Sequence, residues 1–122
     1  MVFDFRIEET RNNYAFLAEE VYGERCRQRG KWGQQEHDLD HWLVILGEEY
    51  GEACRWALEA RIAARALDLN STFREKITPA EREQYNYDLN AAIYQVRKEL
   101  IHTAAVALAI ASGLPKPPAE EE

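Results

Sequence analysis

Glu48-Glu49-Tyr50-Gly51-Glu52 places three carboxylates within one and a half helical turns of a segment that otherwise reads as core-facing. At about 3.6 residues per turn, Leu39, Leu43, Leu46, Tyr50, Ala53 and Ala57 form one stripe. Projected at about 100° per residue, Glu49 falls between Trp42 and Trp56, inside the apolar arc, with Glu48 and Glu52 on its margin. An ionised carboxylate inside a core costs several kcal/mol unless it is paired. A bound metal ion is the most economical partner for three of them. Glu49 and Glu52, three apart, converge on one face, as do Glu48 and Glu52, four apart. Hard divalent cations such as Mg2+ prefer carboxylate oxygen.

A second helix must complete such a site. Glu99 and, three residues on, His102 supply the matching pair, with His102 in a largely apolar stretch. The plain alternatives are a solvated acidic face and a hydrogen-bonded core histidine. The link Lys31-Trp32-Gly33-Gln34-Gln35-Glu36-His37 is a second constellation. Trp32 offers a stacking face for a base. Gln34 and His37 can read polar edges, while Lys31, Arg25 and Arg29 can meet phosphates. The plain alternative for Trp32 is packing under the loop.

The elements that position these residues are helices; no strand pattern is present. The first helix is expected from about Glu8 to Arg29, with Gly30 as its stop. Asp38 or Asp40 caps a second helix running to about Leu67. Thr78-Pro79-Ala80-Glu81 opens a third, with Thr as N-cap, Pro at the first position and Glu at the third. That helix runs to Ser112, with a possible bend between Asn86 and Asn90, and Gly113-Leu114-Pro115 ends it. From Leu100 to Ala111 it is apolar around almost its whole circumference. Such a helix is surrounded by protein, and three helices of one small chain can hardly enclose it. The expected architecture is an all-α, antiparallel bundle of three or four helices over residues 1–114, its core completed by oligomerisation. Residues 115–122 read as a disordered acidic tail.

A length of 122 residues fits one domain. A net charge of −7 argues against nucleic acid as a main partner. It leaves nucleotides open, because a divalent cation can supply the positive charge. Cys26 and Cys54 form no disulfide pattern and read as reduced and cytosolic. The N-terminus has no signal-peptide pattern, and the longest apolar run is too short to span a bilayer.

With these residues in view, the chain resembles the MazG-like all-α nucleoside triphosphate pyrophosphohydrolases, and in particular small phage and bacterial MazG-like proteins. The family motif is EExxE followed on a later helix by ExxD. Glu48-Glu49-Tyr50-Gly51-Glu52 matches the first part, and Glu99-Leu100-Ile101-His102 matches the second except that His102 stands where Asp is expected. The stretch from Glu24-Arg25 to Lys31-Trp32-Gly33-Gln34, ahead of the acidic helix, is similar too, and the likeness covers roughly Val21 to Ser112. The gap of 46 residues between Glu52 and Glu99 is longer than is usual for the family, so residues 68–90 are a lid or a longer helical hairpin.

The resemblance implies hydrolysis of a (deoxy)nucleoside triphosphate to the monophosphate and pyrophosphate. It implies Mg2+, or Mn2+ given the imidazole, held by Glu49, Glu52, Glu99 and His102. Glu48 would orient or deprotonate the attacking water, or equally serve as a metal ligand. Lys31 and Arg97 would contact phosphates, and Trp32 would carry the base. The implied assembly is a homo-oligomer, dimer or tetramer, and the implied role is nucleotide-pool housekeeping. Two rivals stand beside it. One is a catalytically inactive relative that binds a nucleotide or a protein. The other is a carboxylate-bridged di-iron bundle, for which Glu99-x-x-His102 has the spacing.

Overall fold

The computed structural model describes residues 5–33, 35–68 and 76–118. Three helices make up the fold: α1 (Arg11–Trp32), α2 (Leu39–Leu67) and α3 (Pro79–Ser112). No strand is present among the described residues. α3 packs along α2 and also carries α1, while α1 and α2 barely meet.

The helix ends follow local chemistry. Thr10 caps α1, its hydroxyl accepting from the Asn13 amide at 3.1 Å. The stop expected at Gly30 falls inside the helix. The chain turns instead at Gly33, whose φ of 71° suits a residue without Cβ. Asp38 caps α2 by its backbone alone, without a side-chain bond. At α3 the expected capping box is complete. The Glu81 amide donates to Thr78 Oγ1 at 3.1 Å, and the Thr78 amide donates to Glu81 Oε1 at 3.0 Å. α3 is continuous through Asn86–Asn90, and Leu89 packs against Ala63 and Leu67 of α2. From Pro79 onward the long insertion is therefore an extension of the helical hairpin. Residues 69–75 lie outside the described residues.

The stripe of α2 that meets α3 is offset from the one expected. Ala53, Ala63 and Leu67 are buried, and Trp42, Ile45, Leu46, Glu49, Trp56 and Ala60 are half-buried beside them. These positions recur every three or four residues, so they share one face. Leu39, Leu43 and Tyr50 instead remain about half exposed or more. On α3, Ala105 and Val106 are buried within the single chain, whereas Leu108 is exposed. No helix among the described residues is long and apolar enough to cross a membrane.

Candidate metal centre

Glu49 sits on the buried face of α2 as its spacing requires, and α3 brings Glu99 and His102 against it. One donor atom from each of the three lies within 4.8 Å of the others. His102 Nδ1 is 3.5 Å from Glu99 Oε2 and 4.0 Å from Glu49 Oε2. All three side chains are half-buried or deeper, at 15–27% exposed.

The two separations from the imidazole, 3.5 and 4.0 Å, suit one cation. Ligands about 2.1 Å from an ion stand about 3.0–4.2 Å apart in tetrahedral or octahedral arrangements. The electrostatics point the same way. Burial pushes the Glu49 carboxyl above its usual range; nearby His102 opposes that, and the charges of Glu99, Glu52 and Glu24 add to it. The cluster is short of positive charge.

A fourth group arrives from α1. Glu24 Oε2 lies 3.4 Å from His102 Nε2, on the opposite edge of the ring from Glu49 and Glu99. Arg27 grips Glu24 with both nitrogens of its fork, Nε to Oε1 at 2.8 Å and Nη2 to Oε2 at 2.7 Å. That hydrogen bonding holds the Glu24 carboxyl below its usual range, although burial works against it. Gln28 Nε2 donates to the same Oε2 at 3.1 Å, and Gln28 Oε1 accepts from Arg25 Nη1 at 3.2 Å. Gln28 is 2% exposed, so its amide is held by partners on both sides.

Glu24 had a signal in the sequence. Leu17, Val21, Glu24 and Gln28 recur at helical spacing, and in the structure they are half-buried or buried, as are Glu20 and Arg25 beside them. The reasoning that singled out Glu49 on α2 selects Glu24 on α1.

The other expected site residues divide. Glu48 and Glu52 are exposed on α2. Glu52 faces Arg55 at 3.5 Å and stands outside the compact donor set. Three residues advance the helix by about 300°, which leaves Glu52 about 60° off Glu49's direction, and the buried position at that level is Ala53. Arg97 and Lys31 line a cleft of about 670 Å3 between α1 and α3, together with Arg27, Lys98, Glu24 and His102. Arg97 is not free there: Nη1 donates to Glu20 Oε2 at 2.7 Å and Nη2 donates to Glu20 Oε1.

Trp32 ends α1 and is 49% exposed. It is therefore not packed under the loop, and Lys31 Nζ rests 5.3 Å from its ring centroid. His37 joins a different group, 4.4 Å from the His41 ring and edge-on to Trp42 at 5.0 Å. Gln34 lies outside the described residues. The arrangement offers a cation site of two carboxylates and an imidazole, bordered by a cleft with four basic side chains. No family model, no curated protein and no solved structure matches the chain.

Proposed function

We propose that the protein is a metal-dependent nucleoside triphosphate pyrophosphohydrolase, releasing pyrophosphate and a monophosphate from a (deoxy)nucleoside triphosphate. One observation carries the reading. Glu49, Glu99 and His102 belong to the two halves of the motif, 50 residues apart in sequence, and they meet within 4.8 Å. The cleft beside them carries Arg27, Lys31, Arg97 and Lys98, the residue types that bind a polyphosphate. The likeness to the MazG-like pyrophosphohydrolases supplies the reaction.

Glu49, Glu99 and His102 would hold Mg2+ or Mn2+, which when bound supplies charge neutralisation on the triphosphate. Lys31 and Lys98 orient the phosphate chain from the cleft wall. Arg97 reaches it on release from Glu20. Glu48, exposed next to Glu49, accepts the proton of the attacking water, and Trp32 stacks on the base. Glu52 is assigned no direct ligation. The apolar face left open on α2 supports a homo-oligomer.

A screen of the common (d)NTPs for pyrophosphate release, with Mg2+ and with Mn2+, tests the reading. Turnover to monophosphate and pyrophosphate, lost in Glu49→Gln, is expected. Release of orthophosphate, or no turnover with any triphosphate, sinks it. Iron in the purified protein would favour the di-iron alternative, for which Glu99-x-x-His102 has the spacing. Nucleotide binding without turnover would favour the inactive module.

A further inference from the structure

We infer that Glu24 is a positioning residue: it takes the Nε2–H of His102, so that Nδ1 is the nitrogen presented to the metal beside Glu49 and Glu99, and the site selects a first-row transition dication over Mg2+. The inference rests on the metal-dependent reading above and concerns which ligands the metal meets and what aims them.

The two ring nitrogens of His102 face different surroundings. Nε2 faces one carboxylate, Glu24, at 3.4 Å. Nδ1 faces two, Glu99 at 3.5 Å and Glu49 at 4.0 Å. A neutral imidazole carries one N–H and one lone pair. The N–H settles where a fixed acceptor waits, and Glu24 is fixed. Arg27 holds both of its oxygens, and the buried Gln28 amide holds Oε2 from a third direction. So anchored, Glu24 cannot swing across the ring to become a ligand itself. It can fix the imidazole's tautomer and plane, as carboxylates behind metal-bound histidines do.

The consequence is selectivity. Two carboxylates and one imidazole nitrogen suit Mn2+, Co2+ or Zn2+ better than Mg2+, which favours all-oxygen surroundings. Glu24 and its anchors Arg27 and Gln28 lie on α1, outside the acidic motif of α2 and the Glu99–His102 pair of α3.

The test uses the full chain and reads the ring directly. Long-range proton–nitrogen correlation spectra at pH 8.5 report which nitrogen carries hydrogen. His102 should be the Nε2–H tautomer without metal and should stay so with Zn2+, which should shift Nδ1. Free-Mn2+ EPR titration should show Mn2+ binding tighter than Mg2+, measured by competition. Glu24→Leu should weaken Mn2+ about 10–100-fold and mix the His102 tautomers. Should Glu24→Leu not fold, the wild-type tautomer and a 14N coupling to bound Mn2+ in pulsed EPR decide instead. An Nδ1–H tautomer, bound Mn2+ without nitrogen coupling, tighter binding of Mg2+ than of Mn2+, or unchanged affinity in a folded Glu24→Leu overturns the inference and leaves the metal reading standing. Wild-type protein that binds neither Mn2+ nor Mg2+ at millimolar concentration overturns both.

Discussion

Glu49 is a side chain that works against the fold unless a cation meets it. Its carboxyl is raised chiefly by burial. A group whose folded value exceeds its unfolded one contributes stability that is present below the unfolded value and lost as pH rises through the folded one. Above that raised value, without metal, ionised Glu49 is therefore a liability. Glu49→Gln removes that charge while keeping the shape, so in chelator the variant should melt higher than wild type above the raised Glu49 value. With saturating Mn2+ the order should reverse, because a cation that binds only the folded wild type raises its melting temperature by mass action. A pair of melting curves at pH 7.5, with chelator and with Mn2+, checks both halves; parallel curves would contradict the metal reading. Glu24 runs the other way. Its carboxyl is lowered by Arg27, so its contribution is present above the usual carboxylate range and fades as pH falls through its depressed value. At this scale the sequence was legible wherever a charged residue fell on an apolar stripe. For Glu52 it was legible in part: projection put it on the margin of the arc, where the structure leaves it exposed, while its spacing of three from Glu49 suggested a shared ligand role that the compact donor set does not include.

The helices were legible where their ends are set by local chemistry. The box at Thr78 and Glu81 needs only four consecutive residues, and the structure forms both of its bonds. Thr78→Ala should cost about 1 kcal/mol of stability, read by chemical denaturation, and should leave metal binding unchanged because the cap is remote from His102 in sequence and sits at the far end of α3. The end of α1 was misplaced because Gly30 and Gly33 are equally good stops in composition. Only the chain's turn selects Gly33, the one described glycine with positive φ. Gly33→Ala should accordingly cost more than Gly30→Ala. The first forces a Cβ into left-handed backbone, while the second replaces a helical glycine with a better helix former and should stabilise by about 0.5–1 kcal/mol. Equal effects of the two substitutions would mean that α1 ends elsewhere. The stripe of α2 was read slightly off its true face because α2 is apolar on more than one side. Projection alone cannot say which side meets α3.

That second apolar side is the property of the whole molecule that one chain leaves unexplained. Leu43, Leu58 and Ile62 of α2 are 50–62% exposed, as is Leu108 of α3 at 61%. These exposed side chains are what the proposed homo-oligomer would cover, since obligate homo-oligomers bury apolar faces like halves of one core. The buried part of α3 is not the right place to probe it. Ala105 is fully buried within the single chain, so Ala105→Glu would bury an unpaired carboxylate and cost several kcal/mol whatever the assembly. Leu43→Glu with Ile62→Glu is the informative variant, since both positions are open in the monomer and a carboxylate there meets water unless a second copy covers it. Wild type should scatter light with at least twice the 14.2 kDa chain mass, and the double variant should fall toward one chain with a lower melting temperature. A wild type that is monomeric at micromolar concentration, or a double variant with unchanged mass, would show that these side chains face solvent in the native protein and that the three helices stand alone.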